Sequence, residues 1–498
     1  MEHRTQAQAQ TLKRGFWSSE ALYICLLILL SAGLSFLVWM SQSLRLDEAQ
    51  SIWQTSRSLS GVLNVIAKDV HVPLYFIGLH FWEILFGTSE AAIRLFSLAF
   101  YLFSIPAIFY LSRETYSPRV AYFAALITAI SPFLNWYGSE ARMYSLMFLL
   151  TSLSHLYFIR LWKKPSARTW MGYTLVTLLG IFTHLFFLFI VLVQAFFFVA
   201  KRELFPRHAI NRLLNIAVIS GAACLGWFIY RYFAGAGLTN PLLARPSSVD
   251  FFNIFSNFFI GFQTDNINTF YLSLWPLLVF VGFTFLAKRR SHEPQTLYFI
   301  AVSFVPVVLT FIISAVFQPI FLSRYLIICL PSLYVLAVSY LASYKGRASD
   351  FTLTVLVACM LSMLVVEAVQ PATPVKEDFR DAAEYVAVRA APSDIFVVSA
   401  PFITYPVEYY YNGAARLTTF PLWNRYAKDA VPEPYSLTTL EKESTGWSDV
   451  YGRVFLLLGY DQGYNDQVRL FMDKHYQRLD MKEFSPGLTL YTYKLRYF

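Results

Sequence analysis

Long apolar runs separated by short polar segments fill the chain from Ala21 to Val369. An apolar helix of about 20 residues is long enough to cross the hydrocarbon core of a bilayer. The pattern therefore predicts a polytopic α-helical membrane protein with about eleven transmembrane helices. The predicted spans are Ala21–Met40, Ala91–Leu111, Ala121–Trp136, Met143–Trp162, Trp170–Thr183, Leu185–Ala200, Leu213–Phe233, Phe270–Ala287, Leu297–Phe317, Leu326–Tyr344 and Phe351–Val369.

One apolar stretch in the first loop does not fit a span. Residues His71–Gly87 are apolar, but the stretch is short and contains Pro73. If it crossed the bilayer, every later group of Lys and Arg residues would lie on the outer side, where such groups are disfavoured. We therefore predict an amphipathic helix that lies on the outer surface of the membrane.

The chain changes character after residue 370. Charged residues return from Pro371 onwards, and helix-like and strand-like patterns alternate. Lys376–Arg389 predicts an amphipathic helix, and Ile395–Ser399, Val454–Gly459 and Leu488–Leu495 predict strands. We therefore expect a transmembrane domain over residues 1–370 and an α/β domain over residues 371–498.

Composition supports the membrane assignment. Hydrophobic residues make up 56% of the chain and charged residues 14%, whereas about a quarter of the residues in a soluble protein are charged. The four cysteines all lie inside apolar segments. Neither a disulfide framework nor a zinc-binding spacing is therefore indicated.

The net charge of +9 is best explained by membrane topology. Such a charge can indicate nucleic-acid binding, but most Lys and Arg residues form short groups between apolar runs. These groups all fall on one side of the predicted membrane, as the positive-inside rule expects. We predict a cytoplasmic N-terminus, an extracytoplasmic C-terminal domain, contact with membrane lipids and no nucleic-acid partner.

Charged or titratable residues occur in four stretches that lie near predicted helix ends on the outer side. They are Asp47 and Glu48, His71, Glu140 and Arg142, and Arg324 and Tyr325. Taken singly, each stretch has a structural explanation, such as a helix N-terminus, an ion pair or an arginine that extends to lipid headgroups. Taken together, they could form a cavity in which carboxylates handle a hydroxyl and cations hold a phosphate.

The motifs that contain these residues resemble those of a known superfamily. After the first span the chain has DE, then HVPLYFIGLHFWEILFG, then SPFLNWYGSEARMY and, further on, SRY. In this order they resemble the bacterial GT-C glycosyltransferases, in particular those related to protein O-mannosyltransferases and the lipid A aminoarabinose transferase. The resemblance is strongest from Leu44 to Leu161 and weaker onward to Tyr325.

This resemblance implies a GT-C fold with surface helices in the first external loop, in the bacterial cytoplasmic membrane. It implies an enzyme that moves a sugar from a polyprenyl-phosphate donor to an extracytoplasmic acceptor, which could be a lipid, a protein or a glycan. Asp47 then takes the place of the general base, with inversion at the sugar, Glu48 is its neighbour, and Glu140 is the second external acid.

The donor phosphate would be held by cations and a tyrosine. The candidates are His71, which stands where aminoarabinose transferases often have Lys, together with Arg142, Arg324 and Tyr325. No metal is expected to be required, although a divalent metal is possible because carboxylate oxygens suit hard cations.

Two other classes of protein are alternatives to the enzyme. A transporter or flippase of lipid-linked saccharides would also need many helices and cations, but its charges should lie near mid-membrane on broken helices. The predicted spans are nearly free of charge. A non-catalytic receptor would have no reason to keep acids and arginines at several loop ends. The enzyme is therefore the favoured hypothesis.

Overall fold

The computed structural model describes residues 2–40, 42–235, 244–274, 293–344, 346–370, 376–425 and 435–495. The chain divides into two compact units. The first unit comprises Met1–Val38 and Leu59–Ala368, and the second comprises Trp39–Ser58 and Val369–Phe498.

Twenty α-helices occur among the described residues. Helix α2 and helices α17 to α20 belong to the second unit, and the others belong mainly to the first. The helices are α1 Glu2–Met40, α2 Leu46–Thr55, α3 Leu59–Lys68, α4 Leu74–Phe86, α5 Glu90–Thr115, α6 Pro118–Ala129, α7 Pro132–Gly138, α8 Tyr144–Lys163, α9 Ala167–Thr183, α10 Phe187–Ala200, α11 Ala209–Ala234, α12 Ser248–Ile260, α13 Asp265–Ser273, α14 Pro294–Val316, α15 Leu330–Leu341, α16 Arg347–Val369, α17 Phe379–Arg389, α18 Thr404–Tyr410, α19 Leu437–Val450 and α20 Asn465–His475.

Serine side chains define where several helices of the first unit begin. The hydroxyls of Ser89, Ser117, Ser131 and Ser166 accept backbone N–H groups at the starts of α5, α6, α7 and α9. Serine is favoured at these positions because its oxygen pairs an N–H that the helix itself leaves unpaired.

The structure confirms a multi-pass helical protein. Among the described residues, six helices are long and apolar enough to cross a membrane, and a bent pair raises the number to seven. Helices α9, α10 and α15 are shorter, at 17, 14 and 12 residues. The predicted span Phe270–Ala287 lies largely outside the described residues. The count of eleven spans therefore stays a prediction.

The predicted span Ala121–Trp136 is not one continuous helix. The structure has two helices, α6 and α7, with an angle of 57° between them. Pro132 begins α7, and Ser131 caps it by accepting the Leu134 N–H at 3.1 Å. Proline has no N–H to continue the preceding helix, so the chain ends one helix and starts another.

Helix α4 lies within the stretch predicted to be a surface helix. It is 13 residues long, too short to cross a bilayer of ordinary thickness. One face is strongly apolar and exposed, with Phe81, Ile84, Leu85 and Phe86 at 50% to 74% exposure. This geometry suits a helix on a membrane surface, although the surface location stays a prediction.

A five-stranded mixed sheet forms the core of the second unit. Its strands are β1 Ile395–Ser399, β2 Arg416–Thr419, β3 Arg453–Leu458, β4 Gln477–Ser485 and β5 Leu488–Lys494. The order is β2-β1-β3-β5-β4, with β1 parallel to β2 and β3, and with β5 antiparallel to β3 and β4. The predicted helix and three predicted strands are confirmed, whereas β2 and β4 were missed.

The second unit also contains residues 39–58, which sequence analysis placed in the transmembrane domain. Helix α2 packs against α18, and the Trp53 and Tyr405 rings are 5.2 Å apart. The Leu44 N–H donates to the Tyr410 hydroxyl at 2.7 Å. Aromatic packing and long-range hydrogen bonds therefore join this early segment to the C-terminal chain.

Candidate active site

Arg142 and His71 meet in the interior of the first unit. Arg142 Nη2 lies 2.6 Å from His71 Nε2, and both side chains are buried. A guanidinium only donates hydrogen bonds, so His71 Nε2 accepts and the imidazole is neutral in this contact. His71 therefore orients Arg142, and the positive charge resides on the arginine.

The end of α11 adds a second buried arginine, Arg231. Its Nη1 donates to the carbonyl oxygens of Asp69 and His71, the latter at 3.1 Å. Its Nε is buried and has no hydrogen-bond partner among the described residues. A guanidinium fixed beside His71 thus adds a second positive charge that can attract an anionic ligand.

A cavity of about 310 Å³ lies against these residues. Five side chains on its wall are polar and belong to separate parts of the first unit: His71, His184, Arg231, Gln318 and Tyr325. Most of the remaining wall is apolar. It includes Val70, Val72, Leu185, Phe186, Phe189, Phe228, Pro319 and Ile320. The cavity could therefore hold a ligand with both an anionic and a hydrocarbon part.

Tyr325 and His184 close one side of the cavity, with ring centroids 4.9 Å apart. Burial in the turn between α9 and α10 lowers the pKa of His184 to about 3, and the neighbouring His71, Arg142 and Arg324 add in the same direction. His184 is therefore neutral. The Arg324 guanidinium lies 5.7 Å from the Tyr325 ring centroid. We refer to Arg142, Arg231 and Arg324 as the arginine cluster.

The turn between α7 and α8 carries Glu140 and Arg142. The Arg142 N–H donates to the Glu140 carbonyl oxygen at 2.6 Å, and both side chains are buried. The turn follows Gly138, where an added Cβ would lie 2.4 Å from the Tyr101 ring. The absence of a side chain at Gly138 therefore lets α7 approach α5 closely and helps to set the position of the turn.

Asp47 and Glu48 lie at the start of α2 in the second unit. Glu48 is buried, and its Oε2 accepts the Arg45 N–H at 3.0 Å. This bond pairs a backbone N–H at the start of α2 and stabilises the first turn of the helix. Asp47 is only partly buried. The structure therefore shows a structural role for the Glu48 carboxylate and leaves the Asp47 side chain partly accessible.

A third carboxyl, Glu377, is electrostatically coupled to Asp47 within the second unit. Burial raises the pKa of Glu377 to about 7, with the positive charge of Arg45 acting against the shift and the negative charge of Asp47 adding to it. Across the parts of the chain that the structure describes, no group of three His, Cys, Asp or Glu side chains is arranged to hold a metal ion.

The sequence pattern did not predict a role for Arg231 or Glu377. Arg231 is one arginine in the last turn of an apolar helix, a position that usually indicates contact with lipid headgroups. Glu377 stands among other charged residues before α17 and has no local signal of burial. Of the predicted phosphate-binding residues, His71, Arg142, Arg324 and Tyr325 all lie at or beside the cavity.

One family model matches part of the chain. The model of the family described as dolichyl-phosphate-mannose-protein mannosyltransferase matches residues 70–229. No curated protein sequence matches the chain significantly. The matched segment contains His71, Glu140, Arg142, His184 and the helix that leads to Arg231.

Three solved structures share the fold. The apo crystal structure of ArnT from Cupriavidus metallidurans matches with a TM-score of 0.63 at 12% identity, over 95% of this chain and 98% of that chain. ArnT from the same organism bound to undecaprenyl phosphate gives 0.62 at 13% identity, over 94% and 98%. Arabinofuranosyltransferase AftD from Mycobacteria gives 0.52 at 15% identity, over 95% of this chain and 40% of that chain.

The structural similarity establishes a common fold. Because the sequence identities are low, the activity has to be argued from the site. The ArnT match extends over nearly the whole chain and therefore includes the C-terminal region as well as the membrane helices. The chain thus has the fold of ArnT, and the resemblance to the GT-C glycosyltransferases seen in its motifs is confirmed.

Proposed function

We propose that this protein is a membrane glycosyltransferase that moves a sugar from a polyprenyl-phosphate donor to a hydroxyl of an extracytoplasmic acceptor. The observation that carries the proposal is the arginine cluster beside a largely apolar cavity in the first unit. The structure of ArnT bound to undecaprenyl phosphate supports the choice of donor class. The reaction would take place on the outer side of the bacterial cytoplasmic membrane.

The cavity has the chemistry that a lipid phosphate requires. Arginine matches phosphate oxygens geometrically and is less strongly hydrated than lysine, so it binds phosphate well in a buried site. Phe186, Phe189 and Phe228 on the wall suit the hydrocarbon next to the phosphate. A largely apolar wall lowers the local dielectric constant, which strengthens the attraction between arginine and phosphate.

The leaving group explains why cations are needed. When the bond between the anomeric carbon and the phosphate oxygen breaks, both electrons leave with the phosphate. A phosphate anion is a good leaving group once its charge is stabilised, unlike the alkoxide that a glycosidase must protonate. The arginine cluster and the Tyr325 hydroxyl would supply that stabilisation.

Asp47 is proposed as the general base. It would take the proton of the acceptor hydroxyl while the acceptor oxygen forms a bond to the anomeric carbon, which inverts the configuration there. Glu48 stabilises the start of α2 by accepting the Arg45 N–H. Glu140 is proposed as the second external carboxylate of the active site. The acceptor is a lipid, a protein or a glycan, and no metal is required.

The test is sugar transfer in membranes from a panel of radiolabelled polyprenyl-phosphate sugars to membrane extracts. Asp47→Asn should lower transfer by about 100-fold or more, because general-base catalysis typically contributes that much. The matched control is Asp381→Asn, an exposed carboxylate in the same unit, which should leave transfer unchanged.

Each result has a distinct meaning. If Asp47→Asn transfers sugar as fast as the intact protein, the enzyme class stands but the base is another residue. If the intact protein consumes no donor from a panel that works with a control transferase, the glycosyltransferase proposal fails and a flippase becomes the better hypothesis.

A further inference from the structure

The backbone around Glu377 is bound to the segment that leads into α2. The Ser43 hydroxyl donates to the Glu377 carbonyl oxygen and accepts the Phe379 N–H at 3.1 Å. One residue further, the Leu44 N–H donates to the Tyr410 hydroxyl. These bonds join residues more than 300 positions apart in the chain. The two Ser43 bonds hold the backbone that follows the Glu377 Cα against the segment that leads to Asp47.

Two charged groups at the start of α2 act on the Glu377 carboxyl. They are Arg45, which favours its ionised form, and Asp47, which favours its protonated form. On its own segment Glu377 is flanked by Lys376, Asp378 and Arg380. Electrostatic coupling is mutual, so an ionised Glu377 makes the Asp47 carboxylate hold a proton more firmly.

We propose that Glu377 is a positioning residue of the transfer reaction, which acts through Asp47 by placing a second carboxylate beside the base. This inference rests on the proposed function, because it requires Asp47 to be the base. Glu377 forms no bond to the substrate. Its negative charge makes Asp47 a stronger proton acceptor at the moment when the acceptor hydroxyl attacks.

A consequence of this coupling is that the rate of sugar transfer depends on pH near neutrality. Burial and Asp47 bring the pKa of Glu377 to about 7, so its charge appears as the pH rises through that value. Transfer should therefore rise through pH 7. An isolated carboxylate base with an ordinary pKa of about 4 would already be fully ionised at that pH and would show no such rise.

The experiment measures kcat/KM for the acceptor against pH, from about 5.5 to about 9, with the full-length protein in membranes. The intact protein should gain roughly two- to tenfold between the two ends. Glu377→Gln should lack this rise and should transfer more slowly than the intact protein above pH 8 by a similar factor. Glu377→Asp should keep the rise, and Asp381→Asn is the matched control.

A second variant tests the same coupling without changing Glu377. Arg45 favours the ionised form of Glu377, so Arg45→Gln should move the rise to a higher pH. This direction is specific to the coupling, because a general loss of folded protein would lower transfer equally at every pH.

Identical pH profiles for Glu377→Gln and the intact protein would overturn this inference, whatever the amplitude of transfer. An unmoved rise in Arg45→Gln would also count against it. If Asp47→Asn abolishes transfer while both profiles stay unchanged, only the role of Glu377 fails. If Asp47→Asn retains transfer, the proposed base and the role of Glu377 fail together.

Discussion

Neighbouring atoms fix the direction of two arginine side chains in the first unit. Arg142 is oriented by the ring nitrogen of His71, and Arg231 by two backbone carbonyl oxygens of the same segment. Each guanidinium is thereby held in a fixed direction before a ligand arrives. A preorganised donor loses less conformational entropy on binding than a flexible surface arginine would.

Arg231→Ala should weaken donor binding more than it affects the chemical step. Hydrogen bonds to charged groups contribute roughly 1.5 to 3 kcal/mol, which corresponds to an increase in KM for the donor of about tenfold or more. Arg231→Lys should be intermediate, because lysine keeps the charge but lacks the planar fork. The measurement is KM and kcat for a polyprenyl-phosphate sugar.

The matched control for this residue is Arg212→Ala. Arg212 lies on the same helix, α11, where it is exposed and packs near the Trp170 ring. It should leave KM for the donor unchanged. Equal values of KM in Arg231→Ala and the intact protein would contradict a phosphate-binding role for Arg231.

At the scale of elements, the break between α6 and α7 determines where the turn with Glu140 and Arg142 begins. The cap of α7 is itself held in place, because the Ser131 hydroxyl lies 2.7 Å from the Tyr334 hydroxyl on α15. Close contact with α5 at Gly138 adds a second constraint. The direction of α7 therefore depends on packing against two other helices.

Gly138→Ala tests the contact between α7 and α5. The new methyl would lie 2.4 Å from a ring atom of Tyr101, whose hydroxyl donates to the Thr128 carbonyl oxygen at 2.7 Å. Overpacking of this kind costs about 1 to 3 kcal/mol. We expect a thermal midpoint in detergent that is lower by about 3 °C or more, together with slower transfer because the turn with Arg142 moves.

A glycine in open space provides the control. Gly221 on α11 has no atom within 4 Å of an added Cβ. Gly221→Ala should leave the thermal midpoint unchanged or raise it, since alanine favours helix more than glycine. A Gly138→Ala protein as stable and as active as Gly221→Ala would show that the close contact has no consequence.

At the scale of the whole molecule, the second unit joins residues from two distant parts of the sequence. Residues 39–58 and the chain after residue 368 form one compact body with the mixed sheet. Asp47 therefore belongs to the unit that contains the sheet, and the stability of that unit affects the environment of the proposed base.

The stability of this unit should depend on the charge of Glu377. Its pKa in the folded protein is about 7, above the ordinary value of 4.5. Between these values the folded state binds the proton more tightly than the unfolded state, so stability falls as the pH rises through this window. Glu377→Gln cannot ionise and should lack that loss.

Thermal unfolding of the full-length protein in detergent provides the measurement. Glu377→Gln should unfold at a higher temperature than the intact protein at pH 8, by about 3 °C, and the gap should be smaller at pH 5. Asp381→Asn should show no such dependence. A gap that stays constant with pH would argue against a buried, ionisable Glu377.

The sequence by itself determined the class of the molecule and most of its helices, because hydrophobic periodicity reports burial in lipid or in a core at each position. The strands β1, β3 and β5 were predicted for the same reason. Strand β4 was missed since it is an edge strand whose residues are almost all exposed. Strand β2 has only four residues, too few to show a pattern.

Only the tertiary structure decided which polar residues lie together. Arg142, Arg324 and Tyr325 were predicted from loop ends, but their position beside Arg231 and His184 depends on packing among several helices. Glu377 approaches Asp47 through hydrogen bonds between segments more than 300 residues apart. Local sequence encodes the preference of each segment for helix, strand or membrane, whereas the surroundings of a buried charge are set by distant chain segments.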